Sequence, residues 1–384
     1  MYTTRLPIRY KPKQDEIFSS WLARICLGNV IKPHSLNQML WPKDDIWTKD
    51  FDKYINIAIV ESLSQLTGVS KTALEKTLLS RYKDFIYENF YISGRTPWVR
   101  ELSKVHREAK AHGRLFCPLC LKEDKTPYYR IHWRTALSPC CLEHKTILAS
   151  SCPNCSKPIN YYRINLELNH IAFCQYCNTE LSDSKPIYVN NNNLITFLEA
   201  TMNASTTGKF EYENIKIDSL LYFPVIRKIS ILIFSRKFGH KIQNYLQKKL
   251  NMEKYIFFES NTTLETISPK KSVNLFVFIN HLLSNYPWNF VNMCKNVGLT
   301  RSLISHDLVY VPFWFDNVLI QYISGGNFTF SYQQIESAVG VMKKRNIELN
   351  IVNFRKLIGR ASFLSNRKST HKKNYLLMLF AQQE

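Results

Sequence analysis

The sequence lacks every common glycine-rich phosphate loop. None of its 11 glycines falls in a GxxxxGK[ST], GxGxxG or GxSxG pattern. That excludes P-loop ATPases, dinucleotide-binding enzymes and hydrolases built on a nucleophile elbow. Acidic residues are scarce, 30 against 51 Lys and Arg. No set of three carboxylates suggests a two-metal nuclease; Asp44, Asp45, Asp183, Asp218 and Asp307 read as caps and surface charges. No apolar run reaches the roughly 18 residues of a membrane span. The longest, Ile229–Phe234 and Leu275–Ile279, are core-sized. The opening Met1–Arg5 has no apolar stretch, so no secretory signal is expected. No fixed-period repeat is present.

What is present is positive charge. The formal net charge of +21 argues for a polyanionic partner, with nucleic acid the first candidate. The 384 residues are 45% hydrophobic, enough for two or three domains at about 150 residues each. A mostly α fold in three segments is expected. Residues 1–112 read as an N-terminal helical domain, with Ile17, Trp21, Leu22 and Ile25 at helical spacing and Asp15-Glu16 at the start of that helix. A second helical region follows from about Phe51. Residues 113–188 carry the cysteine pairs, and the polar run Asn190–Asn193 reads as a linker. Residues 194–384 read as a C-terminal helical domain, with a turn at Gly325-Gly326. Its tail is basic at Arg367-Lys368 and His371-Lys372-Lys373.

Eight of the ten cysteines lie between Cys117 and Cys177. Without a secretory signal, such clustering points to metal rather than disulfides. Cys117 and Cys120 form a CxxC knuckle, and Cys141 and His144 a CxxH pair. A two-residue gap lets both side chains of one tight turn reach one ion, so these four make a closed tetrahedral zinc site. Cys140 could replace Cys141; Cys141 is preferred because the gaps are then equal. Cys152, Cys155, Cys174 and Cys177 form a second, all-cysteine site. Both sets are complete, so the two zinc ions are expected to be structural rather than catalytic. His132 reads as a packed histidine, Arg130 and Trp133 as packed over a knuckle, and Cys26 and Cys294 as small core residues.

Val60–Thr77 fits a helix-turn-helix template. Leu63 and Leu66 are apolar, Gly68 falls at the turn, Val69 beneath it, Ser70 caps, and Leu74 and Leu78 anchor. Its exposed second helix would offer Lys71, Thr72, Lys76 and Arg81 to nucleic acid or a partner. A second match near Phe290 uses Met293, Cys294, Gly298, Leu299 and Leu303, with Thr300 as cap and Arg301, Ser302 and Ser305 exposed. A third, weaker match centres on Gly340, with Ile335, Ala338 and Val341.

Several of these residues together resemble the TniQ/TnsD family of transposon target selectors. They are Leu6-Pro7, the run Asp15–Arg24, Leu66–Val69 followed by Leu74, CPLC at 117–120, Tyr128-Tyr129-Arg130, His132-Trp133, the Cys141–His144 pair and CPNC at 152–155. The similarity continues weakly through Tyr286–Phe290. It implies a targeting adaptor with no chemistry of its own. Such an adaptor joins a target-recognising complex to an AAA+ regulator of the TnsC type, which recruits the transposase. The length and two zinc sites resemble the form found in CRISPR-associated transposons, a homodimer docked on RNA-guided Cascade and so near the crRNA. The alternative within the family is a TnsD-like protein that binds its attachment site on DNA directly. Either form would work in the bacterial cytoplasm, at the nucleoid.

Overall fold

A computed structural model describes residues 5–212, 214–252, 262–306, 308–323, 331–358 and 370–381. Asp307, the Gly325-Gly326 turn and Arg367-Lys368 lie outside the described residues. By compactness the chain divides into residues 1–289 and 290–384. Helices dominate both.

The first unit opens on α1 (Phe18–Gly28) and α2 (Pro33–Leu40), then α3 (Ile57–Thr67) and α4 (Lys71–Glu75). Phe18, Trp21, Leu22 and Ile25 are fully buried, each contributing roughly 2 kcal/mol by removal from water. Burial runs around the whole helix, including Arg24, which pairs with the buried Glu16 at 2.6 Å. Glu16 therefore neutralises an interior arginine. It does not serve the helix dipole, since the first turn of α1 holds no acid. The second helical region begins later than Phe51, at Ile57, where the Asn56 side chain accepts from Ala58 N.

After a short turn of helix at Leu79–Tyr82 the chain is irregular, apart from a hairpin of β1 (Lys104–Val105) and β2 (Glu108–Ala109). Next come α5 (Pro118–Glu123) and a hairpin of β3 (Cys140–Cys141) and β4 (Thr146–Ile147). Residues 187–189 return along β4: Ile147 N donates to Ile187 O and Val189 N to Lys145 O, so both cysteine clusters belong to one interlaced structure. The expected linker Asn190–Asn193 is a helix start instead. Asn191 accepts from Leu194 N at 2.9 Å and caps α6 (Asn192–Thr207). A hairpin that the sequence reading did not anticipate, β5 (Lys209–Tyr212) and β6 (Ile215–Asp218), precedes α7 (Phe223–Phe234), α8 (Gly239–Lys249) and α9 (Pro269–Ser284).

α10 (Trp288–Val297) crosses into the second unit. That unit holds α11 (Arg301–Ser305), α12 (Phe313–Val318), α13 (Tyr332–Lys344), α14 (Ile351–Ile358) and α15 (Thr370–Ala381). Ile335, Val339 and Met342 of α13 pack with Phe354 and Leu376 in a small core. The helix-turn-helix match at Gly340 is thereby corrected. Gly340 lies inside the continuous α13, whose apolar stripe runs past it, and the chain turns only at Asn346, where φ is +51°.

Candidate metal centres

Each cluster is assembled from tight turns. Cys117 is the N-cap of α5 and Pro118 its first residue, so the backbone N–H of Cys120 points back at the Cys117 sulfur, 3.5 Å away. Cys141 and His144 bracket the β3–β4 turn. In the second cluster, Ser156 N donates to Cys152 O and Asn178 N to Cys174 O. Ser156 and Asn178 each follow a knuckle at φ +57°, a left-handed conformation that closes the turn.

The donor atoms of Cys117, Cys120, Cys141 and His144 lie within 4.8 Å of one another, as do the sulfurs of Cys152, Cys155, Cys174 and Cys177. His144 Nδ1 is 3.6, 3.3 and 3.6 Å from the sulfurs of Cys117, Cys120 and Cys141. Sulfur pairs Cys120–Cys141, Cys152–Cys177 and Cys155–Cys174 stand 3.6, 3.5 and 3.5 Å apart. A tetrahedron with Zn–S of about 2.3 Å has sulfur–sulfur edges of about 3.8 Å and nitrogen–sulfur edges of about 3.5 Å. Disulfide sulfurs would be about 2.05 Å apart, and all ten cysteines are free. Both donor sets fit zinc.

The surroundings orient one imidazole, and hydrogen bonding inside the first cluster shifts its thiols in opposite directions, Cys120 up and Cys117 down. His144 Nε2 lies 2.8 Å from Glu123, so a carboxylate holds the ring with Nδ1 turned to the sulfurs. Hydrogen bonds from Cys120 and Cys141 draw the Cys117 thiol far below its ordinary range. The Thr179 hydroxyl, 3.3 Å from Cys177, is the main cause that brings that thiol down to about 6. The sequence reading missed Glu123, although its place one helical turn after Cys120 was a usable signal.

Cys140 is decided by the pleat. Successive side chains on a strand face opposite ways, and Cys141 joins the cluster while Cys140 is buried away from it. Cys141→Ser is therefore expected to lower zinc content from two ions per chain to one, and Cys140→Ser to leave it at two. Elemental analysis of the purified variants reads this directly.

The metal-binding segment is tied to α1 by buried charge. Asp52 accepts from Ser19 N at 2.8 Å, Ser19 Oγ at 2.9 Å and Arg134 Nη1 at 2.8 Å, with Arg114 at 3.5 Å. Arg134 also pairs with Asp50 at 2.7 Å. Burial raises the Asp50 carboxyl, but the charge and hydrogen bond of Arg134 outweigh it and hold it below the usual range. Arg130 pairs with Asp124 at the end of α5 and lies 4.9 Å from the Trp133 ring, as expected of residues packed over a knuckle. His132, largely enclosed, is pushed down to about 4 by burial and stays neutral at neutral pH.

The contact residues read from the two helix-turn-helix templates fare unequally. Gly68 at φ +72° ends α3, and the Ser70 hydroxyl accepts from Ala73 N to start α4. Lys71 and Thr72 are exposed on α4, but Lys71 pairs with Glu61. Lys76 is exposed at the C-cap; Arg81 lies beyond the helix and pairs with Asp15 at 3.0 Å. In the second match Gly298 turns at φ +81°. Arg301 and Ser302 are exposed on α11; Arg301 binds Asp316 at 2.9 Å, and the Ser305 hydroxyl donates to Arg301 O. Thr300 makes no side-chain cap, and Ile304, not Leu303, is the buried anchor.

Residues 7–148 match the TniQ family model. This stretch is a TniQ domain. No curated protein matches the chain. The TniQ domain contains the first cluster, both aspartates of the buried network and Arg134, and it ends before the second cluster begins at Cys152. A TniQ domain implies a role in transposition target selection. Among the described residues no helix is long and apolar enough to cross a membrane.

Proposed function

We propose that the chain is a target-selection adaptor that docks, as a homodimer, on an RNA-guided Cascade complex in the cytoplasm and recruits an AAA+ regulator of the TnsC type, which brings the transposase to the DNA. The TniQ domain over residues 7–148 carries this reading. The metal clusters agree with it: each has four protein donors, which leaves no coordination position for a reacting water. The zinc ions then hold shape, and the exposed residues of the two glycine-turn helix pairs contact nucleic acid or protein.

Light scattering on a sizing column tests it, with the protein alone and mixed with guide-loaded Cascade from the same source. Co-elution with two copies per Cascade is expected. A protein that ignores Cascade and protects a defined duplex site would replace this reading with direct DNA recognition.

A further inference from the structure

A cleft of about 570 Å³ lies between the N-terminal arm and the α3–α4 turn. One wall is the arm, carrying Lys11 and Lys13. The other runs from Gly68 to Lys76 and Arg81. The arm is held rigidly by α1: Trp21 Nε1 donates to Tyr10 O at 2.7 Å, Arg24 Nη2 to Lys11 O at 3.1 Å, and Lys13 N donates to Glu16 at 2.9 Å. The opposite wall is fixed by Phe18 N donating to Thr77 O.

Charge in the cleft is one-sided. Its two carboxylates are neutralised, Glu16 by Arg24 and Asp15 by Arg81. The ammonium groups of Lys11, Lys13 and Lys76 are exposed, and among the described residues none takes part in an ion pair. Three uncompensated positive charges remain on pre-positioned backbone, in a chain of net charge +21.

We propose that this cleft is a binding site for the phosphodiester backbone of DNA, formed jointly by the N-terminal arm and the α3–α4 turn. The lysines act as point charges on phosphates. The only arginine lining the cleft, Arg81, is occupied by Asp15, so no free planar fork is available to read a base edge. Binding here is independent of sequence, which suits a protein whose target is specified elsewhere. An acidic polypeptide is the other class of polyanion. The observations favour DNA because the cleft offers dispersed charge and its lining includes no aromatic, leucine, isoleucine or methionine side chain to anchor a protein partner.

This deepens the target-selection reading, and the two fail separately: DNA binding is read on protein and duplex alone, docking by co-elution with Cascade. The test is fluorescence anisotropy of the full chain with a random-sequence duplex across 50–200 mM salt. The triple variant Lys11→Ala, Lys13→Ala, Lys76→Ala is expected to lose about a hundredfold in affinity at 0.15 M salt, and its log–log salt slope to fall by about 2.7. Its melting should not change, because all three side chains are exposed. Asp15→Asn, which releases Arg81, is expected to tighten binding about fivefold and steepen the slope by about 0.9; a misfolded variant would not do so. Lys241→Ala, exposed on α8 and outside the cleft, serves as the unaffected control. Wild-type affinity and slope in the triple variant would overturn the proposal. So would polyglutamate of matched charge displacing the duplex as well as unlabelled duplex does, which would assign the cleft to an acidic protein.

Discussion

Cys117→Ser and Cys152→Ser are each expected to reduce zinc from two ions per chain to one and to abolish cooperative melting of the central segment. The magnitude follows from how little else supports that segment. It is built of two-residue strands, one short α-helix, three single 3-10 turns and loops, too small a core to fold well without a cross-link. A structural zinc site contributes on the order of 10 kcal/mol to folding, comparable to the whole net stability of a typical domain. Near-UV circular dichroism reports the loss through the buried Trp133, Tyr129 and Tyr161. Because Cys155 and Cys177 are half-exposed while all three sulfurs of the first cluster are buried, a chelator should strip the second cluster first. Either variant retaining the wild-type spectrum and melting point would refute a structural role for its metal.

Asp52→Ala should cost about 3–5 kcal/mol in urea unfolding, the scale for removing one member of a buried ion network. Asp52 has no exposed side-chain surface and satisfies Arg134, Arg114 and both the N–H and hydroxyl of Ser19. Its loss strands interior guanidinium groups, and Arg134 keeps Asp50 and the Arg100 carbonyl. Ser19→Ala removes a single hydroxyl from the same carboxylate and should cost about 1 kcal/mol. A cost below 1 kcal/mol for Asp52→Ala would mean that this network does not join α1 to the metal-binding segment.

The two candidate ligand clusters were legible because the chemistry is local: a CxxC turn brings two donors together whatever surrounds it, and two such turns bring four within reach of one ion. Gly68 and Gly298 were legible for a related reason, since a positive φ between two helices selects glycine. Gly340 shows the limit of that signal. A helix interior tolerates glycine at modest cost, and the spacing of Ile335, Val339 and Met342 carries α13 straight through it.

What the sequence by itself determined, then, was the resemblance of its N-terminal part to TniQ, the largely helical character and eight candidate metal donors, all written in short spacings or in composition. Only the tertiary structure decided between Cys140 and Cys141, because the choice depends on which face of a strand meets the cluster. It alone showed that Arg81, Lys71 and Arg301 are paired with Asp15, Glu61 and Asp316 while, among the described residues, Lys11, Lys13 and Lys76 take part in no ion pair. It also brought Asp52 to Arg134, 82 residues away in the chain. Such pairings depend on where distant backbone segments pack, and no periodicity or local spacing in the chain encodes that.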